Sequence, residues 1–155
     1  MAQAPEAVVL WESFLNKVGF SRIIEFGTYK WGMSVFFQLY CIQKKAEFYT
    51  YDNKWYHLCH LGRALGTKKH FTEVDIFSIE KEIGEIIARE GTTIVYCDNG
   101  DKPRELAVFS KYLKKGDFIV THDYGTEVLE TDIPKGLTRI WLEYSDGMTA
   151  IFQYA

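Results

Sequence analysis

The chain has little cysteine, and what it has is not arranged for metal or for bridging. Cys41, Cys59 and Cys97 are its thiols, and their spacing matches neither a zinc-ligand motif nor a disulfide framework. Cys41 and Cys97 lie in apolar runs and read as buried free thiols, which suits a reducing, cytoplasmic setting. Basic blocks are also missing. The formal net charge is −3, and Lys44-Lys45, Lys68-Lys69 and Lys114-Lys115 are isolated pairs that read as solvated ends of elements. This excludes an extended electrostatic footprint for nucleic acid, though not brief contact of an enzyme with RNA. No apolar stretch is long enough to span a bilayer. The first residues lack a basic region followed by an apolar run and a cleavage site, so no signal peptide is expected. Internal repeats, low-complexity tracts and interdomain linkers are absent as well.

What is present is enough for one core. The length of 155 residues predicts a single domain spanning residues 1–155, stable without staples. Aromatics make up 16% of the chain, so rings furnish the core, a pocket, or both. The organising stretch runs from Arg22 to Ser34. Ile23, Ile24 and Phe26 form a buried strand, Glu25 interrupts it with an acid, and Gly27 and Gly32 permit a tight turn before a long apolar helix.

The remaining elements alternate. Pro5 to Val18 reads as a helix with Pro in its first turn and Gly19 after its last. Strands are expected at 21–25, 47–51, 70–74, 92–97 and 117–121. Helices are expected at about 32–45, 78–89 (with Ser78 as N-cap) and 103–113, and an amphipathic segment at about 55–65, closed by Gly66. Two closing strands, 137–144 and 148–154, are joined by Ser145-Asp146-Gly147, where Asp-Gly predicts a tight hairpin. This order implies an α/β, Rossmann-like three-layer sandwich: a mostly parallel seven-stranded sheet with a C-terminal antiparallel hairpin.

Ligands of such sheets sit beyond the carboxyl ends of the strands, and each predicted parallel strand ends in an ionisable group. These are Glu25, Asp52, Asp75, Asp98, and His122 with Asp123. Any one of the acids also reads as a cap or a turn former; together they point to a shared crevice. Asp52 lies roughly 25 residues beyond Gly27, an interval suited to an acid that accepts both ribose hydroxyls of an adenosine.

With these residues in view, the chain resembles the class I S-adenosylmethionine-dependent methyltransferases. It is most similar to the small-molecule O-methyltransferases and to the cephalosporin hydroxylase-like and rhamnosyl O-methyltransferase-like group. Glu25-Phe26-Gly27-Thr28 with Gly32 matches the family's first motif, although Tyr29, Lys30 and Trp31 space its glycines more widely than usual. The resemblance implies S-adenosylmethionine as cofactor, with Glu25 at its amino group, directly or through water. It places Asp52 on the ribose, Asp75 with Ile76 at the adenine, and Asp98 facing the reaction centre. The implied activity is O-methylation of a small molecule or sugar. An N-methyltransferase and a non-catalytic cofactor-binding or partner-supporting subunit are the alternatives. Little chain is left for a lid, so either the N-terminal helix or a second copy completes the pocket, which makes a homo-oligomer one expectation.

In metal-dependent members of the group, positions matching Asp98, His122 and Asp123 bind a divalent ion. The imidazole tilts such a set from Mg²⁺ toward Mn²⁺, Fe²⁺ or Zn²⁺. The alternative assigns catalysis to Asp98, His122 and Asp123 without metal, with His122 as general base. Lys102 lies near the position of a lysine that is often catalytic in these enzymes. His57, His60 and His70 read as surface or structural. Tyr29, Trp31, Trp55, Tyr56 and Tyr124 read either as core rings or as pocket walls for a sulfonium cation.

Overall fold

The computed structural model describes residues 5–55 and 60–155. Its frame is a seven-stranded sheet of β1 (Arg22–Phe26), β2 (Glu47–Asp52), β3 (Phe71–Glu73), β4 (Thr93–Cys97), β5 (Phe118–Thr121), β6 (Leu137–Ile140) and β7 (Ala150–Tyr154). The spatial order is β3-β2-β1-β4-β5-β7-β6. The first five strands are parallel, and β7 enters antiparallel between β5 and β6. This is the expected three-layer α/β architecture.

Two-residue periodicity splits each central strand between the two faces. Ile23, Ile94 and Tyr96 join one buried cluster with Leu10, Trp11 and Phe14 of α1 (Pro5–Lys17) and Met33 and Phe37 of α2 (Gly32–Lys44). Ile24, Val95 and Cys97 join the other, with Ile83 and Ile87 of α4 (Glu80–Ala88) and Leu106 and Phe109 of α5 (Lys102–Phe109). The short α3 (His60–Ala64) lies between β2 and β3. Trp11 meets Phe14, Phe37 and Tyr96 edge to face. Burying a large apolar side chain contributes about 1.5–3 kcal/mol, so this ring cluster is what holds α1 on the sheet. Cys41 and Cys97 are buried, as expected of free thiols.

At the end of the sheet remote from the cavity described below, Arg22 is almost fully buried. It donates to the Arg89 and Glu90 carbonyls and to Thr93 Oγ1, which closes the end of α4. Asp117 accepts from the Thr93 and Lys114 amides and pairs with the Lys114 ammonium at 2.8 Å. These buried charges are accounted for structurally.

Several local expectations are corrected. The closing strands are shorter than predicted, and no tight hairpin forms. The Asp146 carboxylate accepts from the Met148 and Thr149 amides and the Thr149 hydroxyl, which stabilises a longer loop over 141–149. Burial opposes ionisation of Asp146, but those hydrogen bonds win and hold its carboxyl below the usual range. Ser78 is not the N-cap of α4. It lies in a 3₁₀ turn, Ile76–Ile79, which Asp75 caps by accepting from the Phe77 amide at 3.0 Å. The predicted helix at 103–113 finishes as a 3₁₀ turn over Ser110–Tyr112. Of the amphipathic segment expected at 55–65, residues 56–59 lie outside the described residues. No helix among the described residues is long and apolar enough to cross a membrane.

Candidate functional site

The chain leaves β1 toward β2 on one side and returns to β4 on the other. The loops after β1 and β4 therefore diverge and open a crevice at the switch point. Their backbones are nonetheless in contact at its base, where the Asp98 amide donates to the Phe26 carbonyl at 3.0 Å; on the other side the Gly27 amide donates to Tyr51 O of β2 at 2.8 Å. Gly27 has φ +95°, and a Cβ there would collide with the Asp98 carbonyl. Only glycine fits this point.

The next turn is made without glycine. Tyr29 (φ 41°) and Trp31 (φ 67°) take the left-handed conformation themselves, at roughly 1–2 kcal/mol each. Two interactions offset this. The Tyr29 amide donates to Asp52 Oδ2 at 2.9 Å. Trp31 is fully buried, edge-on to Trp55 and tilted against Phe71. The wide glycine spacing thus still yields a tight turn, because an aromatic anchor and an acid stand in for the usual glycine. Trp31 serves as core here.

A cavity of about 630 Å³ lies along this turn, and of the predicted residues Glu25, Gly27, Thr28, Gly32, Asp52 and Asp98 line it. Tyr96 adds a polar group, and Val8, Met33 and Phe36 give it an apolar side contributed by α1 and α2. Asp52 Oδ1 also accepts from the Lys54 amide at 3.0 Å. Asp75 is exposed as a turn cap, Ile76 is fully buried in the α4/α5 core, and neither lines the cavity.

Glu25 is the unusual group. One rung of the ladder sets it between Thr50 and Tyr96. Its Oε2 accepts from Ser34 Oγ at 2.5 Å and Thr50 Oγ1 at 2.6 Å, and Thr28 Oγ1 lies 2.6 Å from Thr50 Oγ1. Its Oε1 is buried with no protein partner. Burial pushes the carboxyl up to about 8, and the two hydroxyl donors only partly oppose this. Oε1 is the oxygen left to meet a ligand.

Asp98 joins the cavity to a second polar group. Tyr96 Oη donates to Asp98 Oδ2 at 3.2 Å. On its other side, Asp98 Oδ1 lies 4.0 Å from His122 Nδ1, which itself contacts Asp123 Oδ1 at 3.0 Å. Single donor atoms from Asp98, His122 and Asp123 fall within 4.8 Å of one another. The three residues singled out from the sequence therefore do converge. Asp123 reaches its place through a left-handed backbone (φ 56°), and its carbonyl accepts from the Thr126, Glu127 and Val128 amides.

Lys102 enters the same cluster. Its side chain is 5% exposed, and its ammonium lies 3.0 Å from Asp123 Oδ2, 2.7 Å from Glu127 Oε2 and 3.6 Å from Asp98 Oδ1. Burial pulls the ammonium pKa down, but the bonds to Glu127 and Asp123 outweigh it, and the net shift is upward. Burial likewise raises Asp98, against the opposing His122 and Lys102 charges. Burial also works against the Asp123 carboxylate, yet hydrogen bonds from Lys102 and His122 hold it below the usual range. Glu105, fully buried on α5, accepts from the Asn99 and Asp101 amides and so shapes the loop after β4. Burial pushes it up to about 7.

Thr50, Ser34, Tyr96, Glu105 and Glu127 were not singled out from the sequence. Thr50 and Tyr96 leave a faint signal there, as polar groups within otherwise apolar strands. The roles of Glu105 and Glu127 depend on α5 approaching the turn after β5, which no spacing in the sequence reveals.

No protein-family model and no curated protein sequence matches the chain. Solved structures do. A cmcI structure with SAH shares 13% identity at a TM-score of 0.68, covering 99% of this chain and 78% of that one. A cofactor-bound Rv0187 from MTB shares 14% identity at a TM-score of 0.61, covering 99% and 82%. The O-methyltransferase TomG from Streptomyces achromogenes, in complex with SAM, shares 13% identity at a TM-score of 0.56, covering 100% and 82%. At these identities the likeness establishes the fold alone, a Rossmann-like α/β sandwich that this chain shares with structures described as SAH- or SAM-bound.

Proposed function

We propose that the chain is an S-adenosylmethionine-dependent methyltransferase that acts on an oxygen of a small molecule or sugar. One observation carries this reading. A buried carboxyl with an unpartnered oxygen, Glu25 Oε1, belongs to the same switch-point cavity as Asp52 and Asp98. An orphaned buried acid costs free energy unless a ligand uses it, and a ligand ammonium is the group that suits it. The volume of about 630 Å³ is within the range of pockets that enclose a ligand of drug size. The structures described as SAH- or SAM-bound share this fold.

In this reading Glu25 takes the cofactor's amino group, directly or through water. Asp52, anchored by the Tyr29 and Lys54 amides, presents its remaining lone pairs to the ribose hydroxyls. Thr28, Gly27 and Gly32 let the backbone approach the ligand. The adenine role inferred for Asp75 and Ile76 requires the cavity to extend past Asn53 toward the end of β3.

The bound cofactor supplies a methyl group on a sulfonium. Transfer of that methyl group to the acceptor oxygen would release the oxygen's proton, and His122 is the residue that would take it. Asp123 holds His122 Nδ1 at 3.0 Å, which orients the ring and leaves Nε2 to accept. Most of the acceleration comes from alignment of the two reactants. Asp98, His122 and Asp123 also fit a divalent ion of borderline character by donor type and mutual distance. Such an ion would hold the acceptor hydroxyl and lower its pKa only where the Lys102 ammonium, 3.0 Å from Asp123 Oδ2, gives way to it.

Calorimetry with S-adenosylmethionine, followed by methyl-transfer assays on catechol-like and sugar acceptors, tests the reading. Saturable binding with turnover supports it. Binding without turnover on any acceptor would favour a cofactor-binding subunit, and absence of binding would overturn the cofactor assignment.

A further inference from the structure

We propose that Lys102 is the resident cation of the Asp98–His122–Asp123 site, with its ammonium standing where a divalent ion would otherwise sit. The ammonium contacts Asp123 Oδ2 at 3.0 Å and lies 3.6 Å from Asp98 Oδ1. These are the carboxylates that belong to the candidate metal-ligand set. A divalent ion coordinated by both would therefore have to displace the ammonium or lie against it, and repulsion between two cations is poorly screened where the side chain is 5% exposed.

Lys102 is also held in place. It is the first residue of α5, directly after the N-cap Asp101, whose side chain accepts from the Arg104 amide. Glu105 fastens the preceding loop through the Asn99 and Asp101 amides. From outside the metal-ligand set, Glu127 grips the ammonium at 2.7 Å. Glu127 stands on the turn that Asp123 organises, so the same turn delivers one ligand of the site and the anchor of its internal cation. A lysine gripped by carboxylates on this many sides is placed as a fixed positive charge rather than as a proton acceptor. His122 is left as the base.

The inference concerns the cation alone and is tested apart from the cofactor reading. Mn²⁺ is titrated into the full-length protein and the free ion is followed by electron paramagnetic resonance. The wild type shows no saturable site below about 1 mM, the weak end of carboxylate-based cation sites. Lys102→Met and Lys102→Gln gain a site about tenfold tighter or more, and Lys102→Arg, which keeps the charge, gains none. Lys102→Gln retains a polar group for the carboxylates and covers the case in which Lys102→Met does not fold. His122→Ala added to the gaining variant removes the new site. Tight Mn²⁺ binding by the wild type overturns the proposal, whatever the variants do, as does folded Lys102→Gln with no gain.

Discussion

Thr50 lies directly across the β1–β2 ladder from Glu25, and its hydroxyl donates to Glu25 Oε2 at 2.6 Å. Ser34, in the first turn of α2, donates to the same oxygen. Both donors therefore fall on one carboxylate oxygen, and the other is left without a protein partner. This asymmetry makes Glu25 a poor structural residue and a good receptor for a cationic group.

The stability of the ligand-free protein follows from it. Glu25 has its pKa raised from 4.5 to about 8, so the folded state holds a proton that the unfolded state has lost. Its contribution is complete below pH ~4.5 and declines as pH rises to about 8, at up to about 1.4 kcal/mol per pH unit. Glu105, raised to about 7, adds in the same direction over a narrower window. Urea unfolding between pH 5 and 8 should show falling stability. Glu25→Gln should flatten Glu25's share and leave that of Glu105.

Binding of an ammonium to Glu25 should expel its proton. At pH 7, calorimetry in two buffers of different ionisation enthalpy should report release of about one proton per S-adenosylmethionine bound. Glu25→Gln should abolish that buffer dependence. Identical heats in both buffers for the wild type would count against an ammonium on Glu25.

Gly27→Ala tests the close approach of the two loops. It places a side chain at φ +95° against the Asp98 carbonyl. The expected loss is about 1–3 kcal/mol, read from the urea midpoint, together with loss of ligand binding. Gly100 also has positive φ but open space around it; Gly100→Ala should retain ligand binding.

His122→Asn should lower kcat by about 10²–10⁴-fold with little change in cofactor affinity, because His122 does not line the cofactor cavity. Asp123→Asn should follow in the same direction by a smaller factor, since Asp123 acts by orienting the ring. A comparable loss of cofactor affinity in His122→Asn would place the residue in the wrong role.

Much of this site was legible in the sequence because β strands deliver their terminal residues to one edge of the sheet. The acid near the end of β1, the acid after β4 and the His-Asp pair after β5 needed only correct strand assignment to converge. Asp75 shows the limit of that rule: it also follows a strand, yet it caps the 3₁₀ turn that comes next. Asp146-Gly147 read as a hairpin because the pair favours one, but the Asp146 side chain takes backbone amides and opens the turn. Trp31 in a left-handed turn is invisible to propensity, since its stability comes from rings on β3 and on the segment after β2. Lys102 was noticed for its position, whereas its burial among Asp98, Asp123 and Glu127 is a tertiary property.

The most direct test of the cofactor assignment is calorimetric titration of the wild type and Asp52→Ala with S-adenosylmethionine. Asp52 is almost buried and lines the cavity beside the glycine turn, and its loss removes both the ribose acceptor and the anchor of the Tyr29 amide. The wild type should bind at a single saturable site, and Asp52→Ala should bind about tenfold more weakly or worse, a loss of at least about 1.4 kcal/mol. No saturable binding by the wild type, or equal affinity in the two proteins, would contradict it.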